Sequence, residues 1–208
     1  MTITYPLTMP TTPGFRSLSF NASSVVGISS DPFVLTQQVY RWPGAMWSVQ
    51  VELPPMRRAA AEEWLGFLLS LKGKYGTFYI GDVDAKVPRG LATGTAVSSG
   101  TLNTARAESL VTSGWTALGT GILKRGDYIQ VGTSTSRRLY KVLTDATSGT
   151  AGAATFDIFP PLRETLGTGV ALTVGTTSGV FRLAENTVDW NTNEMAVYGL
   201  SFSAIEAI

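Results

Sequence analysis

The chain has no cysteine and no histidine. The first absence excludes disulfides, thiol nucleophiles and thiolate zinc sites. The second removes the side chain that most often moves protons near neutral pH. Charge is scarce as well, since Asp, Glu, Lys and Arg make up 15% of the residues, against roughly 25% in ordinary soluble domains. The 16 basic and 15 acidic residues sum to +1 and form no long run of either sign. Nucleic-acid binders displace counterions from phosphates with a basic stripe, so no direct nucleic-acid readout is expected. The pairs Arg57–Arg58 and Arg137–Arg138 come nearest to one, and both read as solvated faces. No apolar run reaches the roughly 18 residues that cross a bilayer, so no membrane insertion is expected. The opening "MTITYPLTMPTTPGF" lacks a basic segment followed by an apolar one and does not read as a secretory signal. A soluble chain assembled in the cytoplasm is the expectation.

What is present is apolar and rich in hydroxyls. Hydrophobic residues make up 44% of 208, enough for a sizeable core. With few ions, the surface falls to Ser, Thr, Asn and Gly, which are easier to desolvate than charges. That suits a surface covered by partners, and equally a Thr-rich β-protein. Residues 1–53 read as strands. "FRSLSFNASSVVGISS" alternates around Phe15, Leu18 and Phe20, and "QQVYRWPGAMWSVQVELPP" reads as two short strands joined at Pro43–Gly44. Trp47, Val49 and Val51 share one face while Ser48, Gln50 and Glu52 share the other.

From Met56 to Leu71 the period becomes helical. Trp64, Phe67, Leu68 and Leu71 fall at i, i+3, i+4 and i+7, with Arg58 and Glu62 as an i, i+4 pair off that stripe. The aromatic stripe reads as core. Gly73 is placed to end the helix in a left-handed turn, and Thr77–Ile80 reads as a strand. Asp82 and Asp84, in "GDVDAKVPRG", are the candidate carboxylate pair. Acid–base work would require a cleft and a raised pKa on one member, whereas aspartate in such a loop ordinarily caps its own backbone, the preferred reading. Glu62 and Glu63 are adjacent on the helix and point about 100° apart, a poor geometry for paired chemistry. No catalytic, cofactor-binding or metal-binding residue is assigned, no cofactor is expected, and an enzyme is not the expected class.

Residues 91–179 are rich in Gly, Thr, Ser and Ala. Turn residues separate "SLVTSGW", "DYIQVG", "RRLYKVLTDA", "ATFDIFPPL" and "GVALTV", the pattern of a small antiparallel barrel or sandwich. The region holds seven basic and five acidic residues and a single tryptophan, Trp115. That is no aromatic array in a basic groove, so oligonucleotide binding gains no support. Thr147–Ala154, "TSGTAGAA", reads as a flexible hairpin loop. From Val180 onward "GVFRLA", "TVDWNT" and "AVYGLSFSAIEA" read as strands again. Residues 1–90 and 180–208 are therefore expected to form one β-domain into which 91–179 is inserted.

The string "WLGFLLSLKGKYGTFYIGDVDAKVPRG" resembles the helix, glycine turn and aromatic strand block of distal tail proteins, found at the tail tip of long-tailed bacteriophages. "GDYIQVGTSTSRRLYKVLTDATSGTAGAATFDIFPPLRE" is similar to the inserted β-domain of the same proteins. The resemblance implies a mainly β fold: a β-sandwich-like ring domain with one flanking helix, plus a small inserted β-domain shaped like a galectin or an oligonucleotide-binding barrel. It implies a structural virion protein at the tail tip, a ring hub that is usually a hexamer. Its partners would be other copies of itself, the tail tube protein, the tail-tip hub, and receptor-binding or fibre proteins. Such a hub is a passive gasket. The competing readings are another minor tail or tube protein, a carbohydrate-binding module at the tail tip, and a polysaccharide hydrolase using the acidic residues named above.

Overall fold

Alternation with period two drives Trp47, Val49 and Val51 into one side of a sheet, and the chain closes a second sheet between the strands of the first. The structure, a computed structural model, describes residues 3–192 and 195–208. Met1, Thr2, Asn193 and Glu194, parts of the N-terminal stretch and the C-terminal β-region read from the sequence, lie outside the described residues. Among the described residues the fold is mainly β with one α-helix. Its first sheet starts from a long hairpin, β1 (Ser17–Ser30) and β2 (Gln37–Glu52), followed by β3 (Met56–Arg57), α1 (Arg58–Ser70) and β4 (Phe78–Ile80). The second sheet holds β5 (Gly94–Ser98), β6 (Ser109–Trp115), β7 (Tyr128–Val131), β8 (Arg138–Val142), β9 (Ala154–Phe159) and β10 (Leu172–Thr173). The chain then returns to the first sheet with β11 (Gly179–Leu183), β12 (Trp190–Thr192) and β13 (Val197–Glu206).

The first sheet runs β1-β2-β13-β11-β4, with β3 and β12 flanking the start of β13. Helix α1 covers part of its inner face, and Trp64, Leu68 and Leu71 are fully buried there with Phe78. The helix starts two residues later than its apolar period suggests. Met56 and Arg57 stay extended after the two prolines and pair with Tyr198 and Val197. Gly73 (φ +67°) makes the turn beyond the helix, and a Cβ there would lie 2.9 Å from the Asn186 Oδ1 that accepts the Lys74 N–H. The edge of β4 is covered by the N-terminal segment, through Leu7 N–H to Thr77 O (2.8 Å) and Tyr79 N–H to Leu7 O (3.1 Å).

The second sheet runs β10-β7-β8-β9-β6-β5 and nearly closes on itself. Val97 bridges to Ala171, Ser98 N–H donates to Val170 O (2.9 Å), and Gly169 N–H donates to Ser98 O (2.8 Å). The barrel-like core holds Leu110, Ile129, Tyr140 and Phe156. Trp115 is buried in it, with Nε1 donating to Thr112 Oγ1 (2.8 Å), and so offers no platform for a sugar. The stretch expected as a flexible loop, Thr147–Ala154, is pinned: Ser148 Oγ accepts from Gly119 N–H (2.8 Å) and donates to Thr116 O (2.5 Å), while Trp115 N–H donates to Gly152 O (3.1 Å).

The two sheets share a core. Tyr128, Leu139 and Phe159 of the barrel pack against Trp47, Phe20 and Phe181, and Trp47 Nε1 donates to Leu139 O (3.1 Å). Arg137 and Arg138 do not form a solvated face. The Arg137 guanidinium lies 4.2 Å from the Tyr79 ring centroid and donates to Ser178 Oγ (2.8 Å), while Arg138 Nη1 donates to Ala207 O (3.0 Å). Both thus fasten the barrel to the first sheet. Arg57 and Arg58 are exposed. The connection into the barrel is fixed by Asp127, whose buried carboxylate accepts the backbone N–H groups of Arg89 (2.9 Å), Gly90 (3.1 Å) and Lys124 (2.8 Å). Asp127→Ala would leave those donors without their acceptor and is expected to cost about 2–3 kcal/mol. Urea unfolding measures this, and a loss below about 0.5 kcal/mol would mean water replaces the carboxylate.

Burial pushes the Tyr140 hydroxyl up to about 12 from 10.0, although the backbone N–H of Arg163, which donates to it, pulls the other way. The unfolded chain therefore releases this proton first. The stability tied to it is complete below pH 10 and is lost as pH rises from about 10 to 12. Unfolding free energies at the two ends of that window should converge in Tyr140→Phe relative to wild type, by on the order of 2 kcal/mol.

Candidate assembly surface

The hairpin that founds the first sheet outruns it. β13 pairs with β2 only from Glu52 to Ser48, so β2 loses that neighbour toward its start. β1 pairs with β2 along its length and has no other strand beside it among the described residues. Residues 22–45 thus form a two-stranded arm with open edges. Its apolar side chains face water on both sides: Ile28 is 65% exposed, Trp42 61% and Phe33 93%, with Val26, Val39 and Tyr40 exposed between them. A two-stranded hairpin alone is marginal in water, and long uncharged edges invite pairing with another chain. Contiguous exposed apolar surface of this kind marks an interaction site.

Local chemistry shapes the arm. Between Ser24↔Ala45 and Val26↔Arg41 the register shifts, so that Trp42, Pro43 and Gly44 stand opposite Val25 alone. Pro43 has no N–H to donate and sits where the ladder is already broken. Gly44 packs so near its neighbour that a Cβ would meet Val25 Cγ2 at 3.0 Å. Pro43–Gly44 is therefore a bulge within one strand, not a turn between two, because β1 continues beside it. At the tip, Asp31 Oδ1 accepts the N–H groups of Phe33 (2.7 Å) and Val34 (3.3 Å), and Leu35 N–H donates to Asp31 O (3.0 Å). This fixed turn holds Phe33, Val34 and Leu35 outward. Asp31 and Arg41 are the only charged residues in 21–45. Asp31 caps the tip, and Arg41 Nη1 donates to Glu108 Oε2 (2.9 Å), tying the arm to the barrel.

The arm is anchored by a buried ion pair. Arg163, from the barrel, and Glu206, from β13, have side chains only 10% and 3% exposed. Arg163 Nε donates to Glu206 Oε1 (3.0 Å), Nη2 donates to Oε2, and Nη1 donates to Ala45 O (2.6 Å) at the root of the arm. Trp47 N–H donates to Glu206 Oε2 (3.3 Å). Barrel, final strand and arm root thus meet at one carboxylate.

The carboxylates singled out from the sequence lie apart from this surface. Asp82 Oδ1 accepts the N–H of Asp84 (3.1 Å), the local cap of a loop. Glu62 pairs with Arg58 (3.3 Å) on the exposed side of α1, and Glu63 is also exposed. Among the described residues, no group of three or more acidic, His or Cys side chains could hold a metal ion. No described helix is long and apolar enough to cross a membrane. No family model matches the chain, and no match is found among curated proteins. The arm itself was missed in the sequence. Its available signal was the apolar triplet Phe33-Val34-Leu35 placed in a turn, where side chains have no core to enter.

Proposed function

We propose that the protein is a structural ring subunit of a phage tail tip, a distal tail hub, and that the arm is its principal contact with its own copies. The observation that carries this reading is the pair of open arm edges flanked by exposed apolar side chains. Head-to-tail contacts between identical subunits use two different patches and close into a ring when the rotation permits. The outer edge of β1 and the free distal edge of β2 are two such patches on one arm. In a ring, β1 of one copy pairs with β2 of the next, and every open edge is satisfied. The resemblance of the Trp64–Gly90 and Gly126–Glu164 blocks to distal tail proteins supplies the setting: the tail tube on one side, and the tail-tip hub with receptor-binding or fibre proteins on the other.

Negative-stain electron microscopy and light scattering on the purified full chain test the reading. Closed rings, expected as hexamers, support it. Long stacked tubes would reassign the protein to the tail tube, and a monomer at the highest attainable concentration would overturn self-association through the arm.

A further inference from the structure

We infer that the outer face of the first sheet is a binding site for a neutral oligosaccharide, a function beyond ring formation and on a different part of the molecule from the arm's tip. The face forms an open groove of about 780 Å³. Its floor is a ladder of polar groups set by strand register. Ser19, Gln50 and Ser203 stand in one row across β1, β2 and β13, and Ser17, Glu52 and Ser201 stand in the next. Neighbouring strands lie about 4.8 Å apart, close to the length of one pyranose unit. A sugar chain crossing the strands would therefore meet a hydroxyl, amide or carboxylate at each residue. Glu52 is oriented for this by Arg16 Nη1 (2.8 Å) and Ser17 Oγ (3.3 Å).

The groove wall supplies the complementary apolar element. Trp190, on the short β12, lines the groove and is 49% exposed. A half-exposed indole beside convergent hydrogen-bonding groups stacks on the C–H face of a sugar ring, presenting a flat apolar surface with a polar edge. Charge narrows the class. Glu52, Glu185 and Asp189 line the groove against a single cation, Arg16. Like-charge juxtaposition excludes phosphates, nucleic acid and sulfated or uronic-acid glycans. Trp115, the one tryptophan of the inserted barrel, is buried, and the exposed Trp42 stands on the arm among Val26, Ile28 and Val39, so it is Trp190 that joins an accessible indole to the polar floor of this groove.

Calorimetric and fluorescence titration of the full chain with maltohexaose, cellohexaose and chitohexaose, and with a heparin hexasaccharide as anionic control, decides the matter. At least one neutral hexasaccharide is expected to bind with a sub-millimolar Kd. Trp190→Ala is expected to weaken it about ten-fold or more, and Gln50→Ala to weaken it several-fold. Heparin should not bind. Absence of binding by all three neutral sugars, affinity unchanged in both variants, or preference for heparin overturns the proposal. The same titration on an arm variant that does not assemble separates the two readings. In that variant sugar binding should persist; in the wild-type chain, sugar binding without rings sinks the ring alone, and rings without sugar binding sink the saccharide site alone.

Discussion

Glu206→Ala is expected to destabilise the protein by about 3–5 kcal/mol, because it strands the buried guanidinium of Arg163 without its carboxylate. The size of the effect follows from how much converges on that one side chain. It accepts from Arg163 through both oxygens and from the Trp47 backbone, and it sits 3% exposed where barrel and first sheet share a core. Desolvation makes the intact pair a weak source of net stability, yet breaking it leaves a charge in a dry site. The double replacement Arg163→Met with Glu206→Leu should therefore cost less than Glu206→Ala alone. Denaturant unfolding of the three proteins checks this ordering. If Glu206→Ala lost less than about 1 kcal/mol, the guanidinium would have to reach water, and the pair would not be the clasp between the two sheets.

Replacing Ile28 and Trp42 together with aspartate is expected to abolish assembly while leaving the monomer's unfolding free energy nearly unchanged. Both side chains are more than half exposed in the subunit, so the free monomer loses little packing. In an assembly the same change places carboxylates in an apolar contact. Truncation of a buried aromatic anchor alone commonly costs about 2 kcal/mol or more, and an unpaired charge adds desolvation. Light scattering should show association weakened by at least about 100-fold. Wild-type-like rings from this variant would show that the arm lies outside the subunit contact. A parallel collapse of monomer stability would show that the arm packs on its own subunit.

Parts of this architecture were legible in the sequence because local patterns and tertiary environment agree. The stripe Trp64, Phe67, Leu68 and Leu71 is buried as its period requires, and glycine and threonine punctuation marks most strands of the barrel. Strand β5 escaped notice because its buried positions are Ala96 and Ser98, which carry almost no hydrophobic signal. Pro43–Gly44 looks like a turn because the dipeptide usually is one. Whether it becomes a bulge depends on β1 continuing alongside, information that sits some twenty residues away. Arg137 and Arg138 look like surface residues until Tyr79, Ser178 and Ala207 are brought to them. The arm shows the deepest limit. Val26, Ile28 and Val39 are ordinary strand residues by composition, and nothing local to them reveals that their neighbours are solvent.

The central place of β13 has a consequence for synthesis. This strand is translated after every other described element, yet it lies between β2 and β11 and supplies Glu206 to the clasp. The barrel's strands pair only among themselves, so that sheet can complete its hydrogen-bonded ladder before β13 emerges. The first sheet cannot. Until the final strand emerges, the inner edge of β2 stays as open as the arm, and the nascent chain carries unpaired β-edges it has no means of its own to cover. Fusions or stalls that delay emergence of Val197–Glu206 should therefore raise aggregation more sharply than equal delays within the barrel.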